Sequence, residues 1–226
     1  MTNNDTKIGT LGPSGTFSER AAQTFIDQHN PSITEITLFP AIPLVFNALH
    51  NHTVDKIIIP IENTVNGKVE ITLDELLSLL RDYSIEYELI LPITQCVLGQ
   101  SKSLLSTATY ILSHYQPLGQ CKNYITAQFP NATQIITNST AEAAQFLQSE
   151  QNQTAHNRRQ LGIPNECTPD NTVVIGSQLL ASTYQLEVLQ SEINDIKNNM
   201  TRFIVIGKKP LPKSGADKTS LIFTTQ

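Results

Sequence analysis

The segment NNMTRFIVIGKK, residues 198 to 209, places two side chains that can do chemistry, Thr201 and Arg202, directly before an apolar run. A threonine hydroxyl can donate a hydrogen bond to an oxygen on which negative charge develops, and a guanidinium can bind a carboxylate. A strand that enters a core usually begins with fewer polar side chains. On this segment alone, a solvated strand entrance remains the simpler interpretation, so other parts of the sequence must decide.

A glycine-rich turn near the N-terminus is a second candidate. The segment IGTLGPSGTFSERAA, residues 8 to 22, joins a predicted strand to a predicted helix. Amides at such a helix start have no partner within the helix and carry partial positive charge, so they could hold an anion. The segment lacks the spacing of a dinucleotide-binding motif or a P-loop. An ordinary tight turn therefore explains it about as well as an anion site does.

Hydroxyl and amide side chains also follow three other predicted strands, at the position where α/β folds bind ligands. They are Asn63 and Thr64 in IIIPIENTVNGKV (57–69), Ser113 and His114 in YILSHYQPLGQC (110–121), and Ser139 and Thr140 in ITNSTAEAA (136–144). An ordinary strand-to-helix loop is the alternative for each segment. Ser139 taken alone is more simply a helix cap.

The elements that would position these residues alternate along the chain. Apolar runs typical of strands occupy residues 7–12, 56–63, 94–99, 109–114, 134–140, 171–177 and 202–208. Helix-like segments lie at residues 17–29, 41–51, 72–82, 117–129, 140–149 and 178–185. This alternation predicts an α/β protein with largely parallel sheets that are covered by helices on both faces.

Three helix starts have the pattern of a capping box, in which a hydroxyl accepts from a first-turn amide and a glutamate accepts from the cap amide. The pairs are Thr16 with Glu19, Thr72 with Glu75, and Ser139 with Glu142. The first and third begin helices directly after candidate ligand-binding segments.

Composition excludes several classes of protein. The 226 residues carry a net charge of −5 with a pI near 5.5, so we expect no nucleic-acid or membrane partner. Three cysteines without metal-ligand spacing favour reduced thiols, and the polar N-terminus shows no export signal, so a cytoplasmic location is expected. His50 and His52 lack further ligands for a metal site, and no G-x-S-x-G nucleophile motif occurs.

Five blocks in order resemble the signature of the prephenate dehydratase family: LGPSGTFSERAA, IPIENTVNGKVEITLDELL, ILSHYQPLGQC, NSTAEAA and NMTRFIVIG, spanning about residues 7 to 209. The resemblance implies an α/β fold with two subdomains around a cleft, similar to type II periplasmic binding proteins. The expected subdomains are residues 1–92 plus 196–210, and residues 93–195. The second would include a polar surface excursion at 150–170, more simply a tolerated insertion than a lid.

The activity that the resemblance implies is conversion of prephenate to phenylpyruvate with loss of water and carbon dioxide. Because aromatisation drives this reaction, no metal or other cofactor is expected. Thr201 resembles the catalytic threonine of the family, and Arg202 is assigned to the same catalytic pair. The expected substrate-binding residues are Gly15, Thr16, Phe17, Asn63, Thr64, Ser113, Ser139, Thr140 and Phe203. For Phe17 and Phe203, a role in the core is the simpler alternative.

Three alternatives remain: an arogenate dehydratase, a prephenate decarboxylase that keeps the hydroxyl, and a binding protein without catalysis. The chain departs from the family pattern at Thr64, where serine is usual, at Tyr115, where proline is usual, and at Gln185, where glycine is usual. Residues 211–226 resemble a linker and the first strand of a truncated ACT domain, so no phenylalanine site of that kind is expected. The resemblance also implies a homodimer or homotetramer.

Overall fold

The computed structural model describes residues 6–29, 35–79, 82–148, 155–208, 212–213, 215 and 217–221. The strands are β1 (Lys7–Leu11), β2 (Glu35–Phe39), β3 (Lys56–Asn63), β4 (Gly67–Lys68), β5 (Ser84–Pro92), β6 (Cys96–Gly99), β7 (Tyr110–Ser113), β8 (Thr133–Ile136), β9 (Thr172–Gly176), β10 (Glu187–Gln190) and β11 (Met200–Gly207). The helices are α1 (Phe17–His29), α2 (Ile42–His50), α3 (Glu70–Leu79), α4 (Leu104–Thr107), α5 (Tyr115–Gln120), α6 (Lys122–Gln128), α7 (Thr140–Gln148), α8 (Ala155–Leu161) and α9 (Leu179–Thr183).

These strands form two sheets. The first has the order β2-β1-β3-β11-β5, with β4 paired to β3, and the second has the order β10-β6-β9-β7-β8. The chain crosses between the sheets after β5 and returns after β10. The predicted α/β class, with two separate sheets, is confirmed.

The prediction of largely parallel sheets is wrong. β1 is parallel to β2 and β3, and β7 is parallel to β8 and β9. β11 instead runs antiparallel to both of its neighbours, and so does β6. Buried apolar runs reveal that a strand is covered on both faces but not its direction, because both directions bury the same side chains.

Helices cover both faces of the first sheet, as predicted. Phe25 of α1 packs with Phe203 and Val205 of β11 on one face, while Phe46 of α2 packs with Ile204 on the other. Alternation along β11 therefore sends successive side chains to opposite faces. Two further clusters, which contain Phe146 and Ile111 among others, form the core around the second sheet.

Two of the three predicted capping boxes cap a helix. The amides of Glu19 and Glu142 donate to Thr16 Oγ1 (3.3 Å) and Ser139 Oγ (3.0 Å). Both carboxylates accept from the amide one residue before the cap. The third prediction is wrong, since α3 begins at Glu70 and the buried Thr72 hydroxyl donates to the Pro60 carbonyl (2.8 Å).

The predicted surface excursion at 150–170 is partly packed against the second core where the structure describes it. Residues from 155 form α8 and a segment that packs on the second core, with Ile163 and Cys167 buried. Arg158 is 9% exposed and donates to the carbonyls of Pro164 (2.8 Å) and Cys167 (2.7 Å). By accepting these hydrogen bonds, the two carbonyls allow the charged guanidinium to be buried. Residues 150–154 lie outside the described residues.

The helix predicted at 117–129, the C-terminal segment and the lengths of the helices also bear on the sequence predictions. The helix predicted at 117–129 is divided at Cys121 into α5 and α6. Residues 217–221 contain no strand, and the remainder of the predicted ACT-like strand lies outside the described residues. In the part of the chain that the structure describes, no helix is long and apolar enough to cross a bilayer.

Candidate active site

A cavity of about 500 Å³ lies between the two sheets. The first sheet contributes the glycine-rich loop, the end of β3, the start of β11 and the β4 turn, while the second contributes the starts of α5 and α7. The lining residues are Leu11, Gly12, Pro13, Gly15, Thr16, Phe17, Ser18, Ile42, Pro60, Asn63, Asn66, Gly67, Lys68, Val69, Ile93, Gln95, His114, Gln116, Pro117, Gln120, Asn138, Ser139, Thr140, Ser177, Thr201 and Phe203.

The glycine-rich loop is held from both sides of the cavity. The Gly15 amide donates to the Glu19 carboxylate (2.6 Å), and the Gly15 carbonyl accepts from Ser177 Oγ (2.6 Å). Gly15 has φ of +89°, and a Cβ there would lie 2.4 Å from Leu180 Cδ2. The loop therefore requires glycine. Because Glu19 already occupies the Gly15 amide, that amide is not a free donor for an anion, which corrects the simplest form of the anion-site hypothesis.

Thr201 lies at the centre of a network that fixes its hydroxyl. Asn63 Nδ2 donates to Thr201 Oγ1 (2.8 Å) and to Asn199 Oδ1 (2.7 Å). Asn63 Oδ1 accepts from the amides of Val65 and Asn66, both at 2.9 Å, so the amide group cannot turn over without losing these bonds. Since Thr201 Oγ1 accepts from Asn63, its own proton is available to donate, and the described residues offer it no acceptor.

The charge in the cavity is local and weak. Lys68 is the cationic side chain among the described lining residues, and it is exposed. Burial lowers the pKa of His114, so its ring is neutral near pH 7. His114 Nδ1 accepts from the Gln116 amide (3.4 Å), which places the ring proton on Nε2. Among the described residues no three His, Cys, Asp or Glu side chains form a group that could hold a metal ion.

Comparisons with known proteins decide the family. The sequence model of the prephenate dehydratase family matches residues 8–211. The chain belongs to the prephenate dehydratase family. A prephenate dehydratase from Methanocaldococcus jannaschii is 35% identical over 197 residues, covering 87% of this chain and 63% of that protein. One from Lactococcus lactis is 30% identical and covers 96% of this chain and 70% of that protein.

Longer relatives and solved structures complete the comparison. A bifunctional chorismate mutase/prephenate dehydratase from Pseudomonas aeruginosa is 32% identical, covering 96% of this chain and 52% of that protein. The chain thus spans about half the length of the first curated relatives it matches. A crystal structure of prephenate dehydratase from Arthrobacter aurescens in complex with L-Phe has a TM-score of 0.73 at 24% identity, covering 92% of this chain and 63% of that one. The prephenate dehydratase fold is therefore shared.

The structure brings most of the predicted site residues together. Those that line the cavity are Gly15, Thr16, Phe17, Asn63, Ser139, Thr140, Thr201 and Phe203. Phe203 is also in the core at 1% exposure, as its alternative interpretation predicts, and its contact with a substrate stays a prediction. Their positions at strand ends and helix starts explain why a sequence pattern could find them.

Two predicted binding residues do not line the cavity. Thr64 Oγ1 donates to the Asn198 carbonyl (3.1 Å) and accepts from the Met200 amide (2.9 Å), so it holds the chain beside β11. Ser113 is buried in the second sheet, where Oγ donates to the Ile175 carbonyl (2.6 Å). Both hydroxyls therefore support the walls of the cavity.

Arg202 likewise does not line the cavity. Thr201 and Phe203 on either side of it do, so alternation along the strand turns Arg202 away. Its guanidinium donates to Glu62 (2.7 Å) and Glu88 (3.1 Å), and these bonds raise the pKa of Arg202. A hydrogen bond from Lys218, followed by the one from Arg202, lowers the pKa of Glu88. The placement corrects Arg202 from a substrate-contacting residue to one that joins three strands.

Sequence reasoning missed the amide side chains that line the cavity from the second sheet and its connections. Gln116 and Gln120 lie in the block that carried the family resemblance, but their spacing on a short helix gave no separate signal. Gln95 lies in the crossover between β5 and β6, and Ser177 directly after β9. No local pattern identifies these two, because only the packing of the two sheets brings them to the cavity.

Proposed function

We propose that this chain is a carbon–oxygen lyase that converts prephenate to phenylpyruvate, water and carbon dioxide. The family membership supports the reaction. The observation that carries it is that Thr201 lines the cavity and its hydroxyl proton is available to donate to a bound molecule. The C1 carboxylate leaves as carbon dioxide, and the electron pair of the broken C–C bond enters the ring. The ring becomes aromatic as the C4–O bond breaks, and one proton converts the departing oxygen to water.

Thr201 supplies the hydrogen bond that the departing oxygen needs. Hydroxide is a poor leaving group, so a donor that strengthens its bond as charge develops lowers the barrier. By accepting from Asn63 Nδ2 at 2.8 Å, Thr201 becomes a better donor through its own O–H, since linked hydrogen bonds polarise each other. The same bond stabilises negative charge on Oγ1 if the proton is transferred. Asn63 is thereby a positioning residue for Thr201.

The remainder of the cavity separates the two carboxylates of the substrate. Lys68 and the start of α7, with Ser139 and Thr140, offer positive charge and donors for the carboxylate that stays. Phe17, Phe203 and their aliphatic neighbours provide an apolar surface for the carboxylate that leaves. A carboxylate that becomes neutral carbon dioxide loses charge at the transition state, so apolar surroundings favour its departure.

Incubation of the purified chain with prephenate and, separately, with arogenate tests the proposal. We expect phenylpyruvate from prephenate at neutral pH, at a rate far above that of a control without protein. A product that keeps the C4 hydroxyl would establish the decarboxylase. Faster turnover of arogenate than of prephenate would establish an arogenate dehydratase. Tight binding of prephenate without any product would establish a binding protein. Each of these three outcomes would overturn the proposed reaction.

We also propose the organisation that surrounds this activity. Each sheet with its helices forms one subdomain, with the boundaries expected from the sequence, and the cavity lies between them. The three cysteines are unpaired and buried, which supports a reducing, cytoplasmic location. The implied homodimer or homotetramer is tested by light scattering on the purified chain, where the mass of one chain would contradict it.

A further inference from the structure

In the part of the chain that the structure describes, Gln95 has a buried side-chain acceptor without a partner. It lies in the crossover between β5 and β6, where its amide donates to Asn194 Oδ1 (2.6 Å) and its carbonyl accepts from the Ile193 amide (3.0 Å). Its side chain donates through Nε2 to Gln120 Oε1 (3.1 Å). Gln95 is 3% exposed, and its Oε1 has no hydrogen-bond partner among the described residues.

An unpaired acceptor on a cavity wall indicates that a molecule bound in the cavity supplies a hydrogen-bond donor at that position. Leaving a buried carbonyl oxygen without a donor is unfavourable, and such groups are nearly always satisfied in proteins. Gln95 lines the cavity, so a molecule bound there can supply the donor. The bonds to Asn194, Ile193 and Gln120 fix the backbone and the far end of the amide, which holds Oε1 in place.

A short series of backbone contacts links the crossover that contains Gln95 to the start of β11, where Thr201 lies. Thr201 pairs with Leu91 across the β11–β5 ladder. Two residues later, the Ile93 amide donates to the Asn199 carbonyl (2.8 Å), and Ile93 and Gln95 then both line the cavity. Gln95 and Thr201 therefore line the same cavity.

We propose that Gln95 Oε1 accepts a hydrogen bond from the C4 hydroxyl of the substrate, an inference that rests on the proposed function. At neutral pH prephenate carries two carboxylates, a ketone and one hydroxyl, and among these groups only the hydroxyl is a donor. A carbonyl oxygen therefore matches a single group of the substrate. The C4 oxygen then has two protein contacts: its lone pair accepts from Thr201, and its hydrogen is donated to Gln95.

This contact positions the bound substrate before the C4–O bond breaks. Because negative charge grows on the departing oxygen, its remaining hydrogen does not become a stronger donor as the bond stretches. Gln95 therefore acts by holding the hydroxyl in the orientation that the reaction needs. Gln95 also sets the rotation of the hydroxyl, so that a lone pair faces Thr201.

Steady-state kinetics of Gln95→Met test the inference, because methionine keeps the length of the side chain and removes the acceptor, together with the donor to Gln120. We expect kcat/KM for prephenate to fall by about tenfold or more. Phenylpyruvate lacks the C4 oxygen, so its inhibition constant as a product should remain within about twofold of the wild type. Gln134→Met, on the exposed face of β8, is the matched control and should leave both values unchanged.

The outcomes separate the two proposals. If wild-type chain forms phenylpyruvate and Gln95→Met is equally active, the hydroxyl contact is wrong and the proposed function stands. Equal losses in prephenate turnover and phenylpyruvate affinity would also refute it, since they indicate a general packing role. A wild-type chain that does not turn over prephenate would refute both. Should Gln95→Met unfold, Gln95→Asn withdraws the oxygen by one methylene and is expected to show the same selective loss.

Discussion

Replacement of Thr201 by valine is the most direct perturbation of the proposed mechanism. Valine has nearly the same shape but no hydroxyl, and the site is 8% exposed, so the side chain can remain in place. Asn63 Nδ2 loses one acceptor, yet Asn199 Oδ1 (2.7 Å) and the Met200 carbonyl (3.1 Å) remain for its two hydrogens. Because no buried donor is orphaned, we expect a loss of only about 1 kcal/mol in the free energy of unfolding.

The catalytic effect should be much larger than the effect on stability. Removing one preorganised donor to an oxygen that gains charge typically lowers kcat by about 10² to 10³-fold, or about 3–4 kcal/mol in the activation barrier. The bond to the uncharged hydroxyl of the bound substrate is weaker, so KM should change by less than about threefold. A fall in kcat without a matching rise in KM is therefore the expected signature.

The assay follows phenylpyruvate formation by its ultraviolet absorbance at neutral pH, for the wild type and for the Thr201→Val and Thr201→Ser variants. Serine restores the hydroxyl without the methyl group and should keep kcat within about tenfold of the wild type. Thermal unfolding of each variant separates loss of structure from loss of chemistry. If Thr201→Val retains a kcat close to that of the wild type, the departing oxygen does not depend on this hydroxyl and the mechanism is wrong.

Three further predictions test the surrounding structure. Gly15→Ala places Cβ against Leu180 at positive φ and should lower the free energy of unfolding, measured by urea titration, by about 1–2 kcal/mol. The control Gly119→Ala, in an open helical position, should be neutral or stabilising. Equal effects of the two variants would contradict the loop geometry. Arg202→Met should lower stability by about 1 kcal/mol, less at high salt, and leave kcat within about threefold, so a hundredfold loss of kcat would restore a catalytic role for this residue. Burial raises the pKa of Cys121 to about 12, so its thiol should resist thiol reagents at pH 8 until urea is added. The stability contributed by burying the neutral thiol should be lost as pH rises from about 9 towards 12. Rapid labelling of the folded chain would contradict this prediction.

Local patterns predicted the elements whose signals are complete within a few residues. Helix α1 spans residues 17–29 as predicted, because an N-cap, an acidic first turn and an apolar face coincide there. Thr201 and Phe203 were assigned to the site through the resemblance of NMTRFIVIG to the family signature, because this segment alone favours a solvated strand entrance. Helix α3 was placed two residues late, since Thr72 and Glu75 fit a capping box although the Thr72 hydroxyl bonds to Pro60.

Long-range contacts explain what the sequence could not reveal. Arg202 was assigned to the cavity because the two substrate carboxylates need donors, but its guanidinium binds Glu62 and Glu88 on the two strands that flank β11. Nothing near residue 202 indicates that β11 inserts between those strands. Gln95 presents the opposite case, in which an ordinary residue before a strand acquires significance only through an unsatisfied oxygen in a cavity.

The residues that orient the Thr201 hydroxyl belong to one sheet, whereas the bonds that hold the glycine-rich loop over the cavity join both sheets. Thr201 and Asn63 lie opposite each other in the β11–β3 ladder, so their 2.8 Å contact is fixed within one sheet. The glycine-rich loop is instead held across the cavity, where Ser177 bonds to Gly15 and Tyr184 to the Ser14 carbonyl at 3.2 Å. A change in the spacing of the sheets would break these cross-cavity bonds and leave the Thr201 hydroxyl oriented. The donor is therefore preorganised before substrate binds, which is the condition under which a weakly acidic alcohol can contribute most to the departure of hydroxide.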